Sequence, residues 1–286
     1  MKKISCITTF SLVMVIFLCS IFPISAFAQN GIPGDVNSDN KVSAADARII
    51  MRIAVGLNKT DKNTLSLADV NFDQKVNSED ARLVLRKATG IEGKAIDGGI
   101  FKGYTEKGYS IYEKDGLTFI DGVLIANKSY SLPESYNPGK LLKECEDAFA
   151  LMKQAASKNG LNIYISSGFR SYYSQKSIYN RYVSRDGKSL ADTYSARPGH
   201  SEHQTGLSID LNTITRSFAY TTEGRWVAAH CHEYGFIIRY PEGKSHITGY
   251  CYEPWHLRFV GVETATKIAN SGLCLEEYYG ITSQYQ

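Results

Sequence analysis

Twelve residues, Asp35-Val36-Asn37-Ser38-Asp39-Asn40-Lys41-Val42-Ser43-Ala44-Ala45-Asp46, recur 34 positions later as Asp69-Val70-Asn71-Phe72-Asp73-Gln74-Lys75-Val76-Asn77-Ser78-Glu79-Asp80. Oxygen-bearing side chains occupy positions 1, 3, 5, 9 and 12 of both copies: Asp35, Asn37, Asp39, Ser43 and Asp46, then Asp69, Asn71, Asp73, Asn77 and Asp80. Calcium takes about six to eight oxygens, and a tight loop with this spacing wraps them around one ion, with a backbone carbonyl from position 7 (Lys41 and Lys75). Each loop runs into a short apolar-periodic stretch, predicted to be helical over Ala47–Val55 and Ala81–Ala88. The repeat therefore predicts a small all-α unit over residues 31–91 built on two structural calcium ions. The sixth loop position needs a left-handed backbone; Asn40 tolerates one and Gln74 does so less readily.

This paired loop-helix pattern resembles a dockerin module. The resemblance implies calcium-dependent folding and docking onto a cohesin domain of a scaffolding protein. The positions that often carry paired Ser or Thr for that contact are Ala44-Ala45 and Ser78-Glu79 in this chain, which leaves the cohesin class open.

Residues 1–28 read as a secretion signal: Lys2 and Lys3, an apolar run from Ile7 to Phe22, and the small-x-small site Ala26-Phe27-Ala28. The alternative, an uncleaved anchor, is disfavoured because the run is short for a membrane span. The expected location is extracellular or wall-associated, with no membrane attachment after cleavage and the chain held on a scaffold. A net charge of only +3 gives no reason to expect nucleic acid as a partner. Cys145, Cys231, Cys251 and Cys274 remain after cleavage; three pairings are possible, and free buried thiols are equally compatible.

Residues 92–116, rich in Gly, Lys and Tyr without a sustained period, read as a linker, and residues 117–286 as a second domain. There, Leu117 to Ile125 suggests two short strands around Asp121-Gly122. Leu141, Cys145, Ala148, Phe149, Met152 and Ala156 recur at helical spacing and end at Gly160. Leu161, Ile163 and Ile165 alternate into a strand that leads to Ser167-Gly168-Phe169-Arg170-Ser171, and a helix is expected from Tyr172 to Val183.

All six histidines fall between His200 and His256. His203 and Asp210 stand seven residues apart with Gly206 between them, and His256 supplies a second imidazole. Two imidazoles and one carboxylate leave the fourth position of a tetrahedral zinc open to water, the arrangement of a catalytic site. Glu253, three residues before His256, is placed to act as general base. Arg170, beside a glycine turn at a strand end, is placed to steady a developing oxyanion. His200, His230, His232 and His246 are read as structural, with His246 on a loop.

The segments 167–171, 197–210 and 253–258, with Gly235 to Pro241, resemble the VanY-type D-alanyl-D-alanine carboxypeptidases in order and spacing. The resemblance implies the same ligands, the same base and the same arginine, and adds Gln175 and Ser201 as pocket residues for the peptide end. It implies an α+β domain with an antiparallel sheet and packed helices, and the peptidoglycan stem peptide as substrate, cut before its terminal D-alanine. Two other readings stay open: an L,D-carboxypeptidase trimming tetrapeptide stems, and a catalytically silent wall-binding module.

Overall fold

The computed structural model describes residues 31–71, 74–89 and 96–285. The expected signal at 1–28 and the calcium ligand Asp73 lie outside the described residues. Among those described, no helix is long and apolar enough to cross a membrane.

The repeat folds as three helices, α1 (Ala44–Ala54), α2 (Lys62–Ala68) and α3 (Ser78–Ala88). Helices α1 and α3 begin three residues earlier than periodicity alone predicts, because loop positions 9 and 12 form their caps. The side chains of Ser43 and Asn77 accept from the first turn, and Asp46 and Asp80 reach back to the N-cap backbone. Asn40 and Gln74 both adopt φ 66°, the left-handed turn at position 6. Ile50, Ala68, Val70, Leu83 and Val84 close a small core between the helices. Asp35 is 4% exposed and Asp46 and Asp80 are fully buried, and among the described residues none of the three has a basic partner. Burial and the nearby Asp69 charge push the Asp80 carboxyl up. Buried carboxylates without a counter-ion are what a dication offsets, so the donor set fits calcium.

The expected linker is a correction: residues 96–116 are not one. They hold β1 (Ile100–Tyr104) and β2 (Ser110–Lys114), which continue into β3 (Leu117–Ile120) and β4 (Val123–Ile125) as a four-stranded antiparallel meander. Asp121 and Gly122, both at positive φ, make the tight β3–β4 turn.

The chain then forms α4 (Lys143–Lys158), which lays Cys145, Phe149, Met152 and Ala156 onto the main core. It continues through β5 (Ile165–Ser167), α5 (Tyr172–Asp186), α6 (Lys188–Ala191), β6 (Ser208–Leu211) and α7 (Thr222–His230). After β7 (Phe236–Ile238), α8 (Ser245–Thr248) and β8 (His256–Phe259), helices α9 (Val262–Ser271) and α10 (Leu275–Tyr279) complete it. The second sheet has order β5-β6-β8-β7, all antiparallel. This is the α+β architecture the resemblance implied. His246 lies on the one-turn α8 rather than on a loop. The four cysteines among the described residues carry free thiols, and burial pushes Cys145 and Cys231 up to about 12, which makes them inert packing groups.

Candidate active site

The second sheet sorts its side chains by the two-residue period of a strand. Ile209 faces Leu257 across the β6–β8 ladder, and both, with Leu211, belong to the apolar core. The alternate residues point the other way: Asp210 pairs with His256, and Ser208 with Arg258. Register alone thus brings the carboxylate and the second imidazole together from positions 46 residues apart. On the far side of β6, Ser167 of β5 pairs with Asp210, and the chain leaving β5 reaches Arg170, whose backbone N–H donates to the carbonyl of His203 (3.2 Å). His203 sits on the 3-10 turn Glu202–Thr205 that precedes β6. Gly206 turns that segment into the strand at φ 73°, and a Cβ there would stand 2.9 Å from the Lys140 carbonyl.

His203 Nε2 lies 3.2 Å from Asp210 Oδ2, and His256 Nδ1 lies 3.0 Å from Asp210 Oδ1. One donor atom from each of the three buried residues falls within 4.8 Å of the other two, the one such group among the described residues. His203 Nδ1 stands 2.7 Å from the Gly168 carbonyl, which can only accept, so the proton is on Nδ1 and the Nε2 lone pair faces the site. Burial would raise Asp210, but His203 and His256 outweigh it and hold the carboxylate well below its usual range. Burial pushes His203 down. His256 goes the other way: despite burial, Asp210 and Glu202 draw it up to about 9, so the protein's own charges favour a positive charge here. Two imidazole nitrogens and a carboxylate oxygen, converging where a cation is favoured, fit zinc.

Glu253 precedes β8, with its Oε2 3.7 Å from His256 Nδ1 and its side chain 15% exposed. Burial pushes its carboxyl up to about 7. Arg170 donates from Nη1 to Gln175 Oε1 (2.9 Å) and from Nη2 to Ser167 Oγ (3.2 Å). Gln175 is almost wholly buried, and its amide nitrogen donates to the Ala196 carbonyl (2.6 Å). Both ends of that amide are engaged, so Gln175 braces Arg170 as well as lining the cleft. Ser201, His203, Asp210, Glu253, His256 and Arg170 share the walls of one cleft of about 580 Å³. Every catalytic, pocket and zinc-ligand residue expected from the sequence is therefore in one place.

Sequence reasoning missed Glu202. It is completely buried behind His256, between Arg239 and Arg258. Its presence in Ser-Glu-His and that of the two arginines in the resembling segments were the available signal.

Comparison with known proteins agrees with this geometry. The family model for D-alanyl-D-alanine carboxypeptidase (VanY) matches residues 139–262, and that for the dockerin type I domain matches residues 33–87. The Bacillus subtilis (strain 168) protein YodJ, provisionally named a carboxypeptidase, is 40% identical over 197 residues, which is 59% of this chain and 72% of YodJ. A D-alanyl-D-alanine carboxypeptidase of Enterococcus faecalis is 41% identical over 133 residues, 43% of this chain and half of the relative's length. The solved structure of the LdcB LD-carboxypeptidase superposes with a TM-score of 0.55 at 38% identity, covering 62% of this chain and 95% of that one. With the peptidase fold, the convergent His-Asp-His group and these relatives in agreement, the chain belongs to the VanY D-alanyl-D-alanine carboxypeptidase family and carries a type I dockerin domain ahead of its peptidase part.

Proposed function

We propose that this protein is a secreted zinc-dependent D,D-carboxypeptidase that removes the terminal D-alanine from pentapeptide stems of peptidoglycan while docked to a cohesin-bearing scaffold. The observation that carries the reading is the convergence of His203, Asp210 and His256 within 4.8 Å in the cleft that also holds Glu253 and Arg170. A zinc ion held by those three residues would polarise the scissile carbonyl and acidify a water molecule.

The chain's own groups do the rest. Glu253 takes a proton from the attacking water at a carboxylate oxygen and passes it to the departing amine of D-alanine. A carboxyl pushed by burial to about 7 suits both transfers near neutral pH. Arg170, braced by Gln175 and Ser167, offers a fixed cation to the carbonyl oxygen as it gains charge. Its rigidity matters because a preorganised donor needs no rearrangement as the reaction proceeds. Ser201 offers a hydroxyl in the cleft wall to the carboxylate end of the peptide.

A second reading, L,D-carboxypeptidase action on tetrapeptide stems, draws support from the likeness to LdcB, of which this chain covers 95%. Incubating the zinc-loaded protein with pentapeptide and tetrapeptide stems separates the two. Release of D-alanine from the pentapeptide alone supports the first reading, and release from the tetrapeptide alone supports the second.

The dockerin part supplies the address. Asp35, Asn37, Asp39, Ser43 and Asp46, with the Lys41 carbonyl, would hold one calcium. Asp69, Asn71, Asp73, Asn77 and Asp80, with the Lys75 carbonyl, would hold the other. Calcium-dependent capture by a cohesin tests this part. A chain that binds no cohesin in calcium would leave the repeats as stabilisers of this polypeptide only.

A further inference from the structure

Glu202 is a carboxylate with a wholly buried side chain, and it stands beside a metal-ligand candidate. Its Oε1 accepts from Arg239 Nε (2.7 Å) and Arg258 Nη1 (3.1 Å). Its Oε2 accepts from Ser208 Oγ (3.3 Å) and lies 3.5 Å from His256 Nε2. Arg239 turns its remaining nitrogens to Glu276, donating from Nη1 to Oε2 (2.9 Å) and from Nη2 to Oε1 (2.5 Å). Two carboxylates and two guanidiniums cancel, so the cluster is neutral as a whole. Both oxygens of Glu202 face donors, the two guanidiniums on one side and the Ser208 hydroxyl on the other, so it stands there as an acceptor.

His256 stands between this cluster and the site, with Nδ1 toward Asp210 and Glu253 and Nε2 toward Glu202. An imidazole that gives its Nδ1 lone pair to a metal must carry its proton on Nε2, and that N–H needs an acceptor. The guanidiniums around it can only donate, and Ser208 already directs its hydroxyl to Glu202. Glu202 Oε2 is the acceptor within reach. A carboxylate placed only to offset the two arginines would turn both oxygens to them; this one turns a single oxygen to the arginines and the other to Ser208 and His256.

We propose that Glu202, clamped by Arg239 and Arg258, is a positioning residue that accepts the Nε2–H of His256 and so presents the Nδ1 lone pair to the metal. The inference rests on the metal-site reading given under Proposed function. Loss of such a partner weakens metal affinity by roughly 10–100-fold.

The test uses the full chain in calcium. Zinc affinity is measured by chelator competition for wild type and Glu202→Gln, together with folding by circular dichroism. The expected result is one zinc per chain in both proteins, with a dissociation constant raised about 10–100-fold in the folded variant. An unchanged constant in a folded Glu202→Gln protein, even one that melts earlier, would overturn the proposal. Should the variant fail to fold, wild type alone decides. In 15N-labelled protein loaded with cadmium-113, the expected metal coupling is to His256 Nδ1, with a slowly exchanging Nε2 proton; coupling through Nε2 would overturn it. A wild-type chain that binds no zinc would sink the metal reading and this inference together. That result is distinct from normal zinc binding that ignores Glu202.

Discussion

Replacing Arg239 by methionine should cost far more than its distance from the chemistry suggests. Arg239 is fully buried and pairs with both Glu202 and Glu276, which are fully buried as well. In its absence Glu202 keeps one guanidinium, that of Arg258, and Glu276 keeps only the amide of Asn127 as a side-chain donor (3.0 Å). Breaking a buried pair by removing one partner typically costs about 3–5 kcal/mol, because the charge left behind stays desolvated. At about 2–4 °C per kcal/mol for a unit of this size, the peptidase transition should fall by about 6–20 °C. The comparison is Lys143→Ala, which breaks an ion pair of the same formal kind with Asp147 at side-chain exposures of 82% and 61%. Such a pair is worth about 0–1 kcal/mol. The assay is scanning calorimetry of the full chain in calcium with a zinc-selective chelator, since bound zinc would add its own stabilisation and mask the difference. An Arg239→Met transition within about 2 °C of wild type, and level with Lys143→Ala, would refute the claim that this cluster is a desolvated, mutually dependent set.

Glu253→Gln should keep one zinc per chain by elemental analysis while kcat falls by about 10²–10⁴, the range for losing a general base; near wild-type turnover would exclude it from that role. Gly206→Ala forces an L-residue to φ 73° with its Cβ 2.9 Å from the Lys140 carbonyl. It should lose about 1–2 kcal/mol in denaturant titrations and bind zinc more weakly, because the same turn carries His203. Activity should decline on the acid side: Glu253 works deprotonated and burial raises it to about 7, so it is lost as base when pH falls through its titration. A bound dication lowers that value, which puts the acid limb at or below about pH 7, and a rate flat down to about pH 4 would argue against both this base and histidine ligation. Removing calcium should melt the three-helix unit while near-ultraviolet signals of the peptidase part persist; joint loss of both would show that the two depend on one another.

The grouping of the candidate metal-binding and cleft residues was legible in the sequence because their spacing is local or their types are rare. His203 and Asp210 share one turn and strand, and Glu253 and His256 share another. The α4 stripe was visible because one face of a long helix is apolar over several turns. What escaped has common physical causes. Strands β1 and β2 carry only half-buried side chains over much of their length, so their alternation is weak, and pairing rather than periodicity defines them. Cross-strand contacts such as Phe101 with Tyr112, ring centroids 5.5 Å apart, exist only once the meander forms. Helix α2 spans seven residues, too few for a helical period to emerge, and is marked chiefly by the Asp61 cap on Thr64. Glu202 escaped because the arginines that neutralise it are 37 and 56 residues away. Gln175 was placed in the pocket by resemblance, but its brace on Arg170 depends on the return of the chain at Ala196.

The proposed function requires the His203–Asp210–His256 site to hydrolyse the last peptide bond of a wall stem. The most direct measurement is mass-spectrometric detection of amino acid released from synthetic pentapeptide and tetrapeptide stems by the purified chain, before zinc removal, after it, and after zinc is restored. The predicted result is D-alanine from the pentapeptide alone, abolished without zinc and recovered with it. A zinc-loaded protein that releases no amino acid from either stem would contradict the claim and leave a wall-binding module in place of an enzyme.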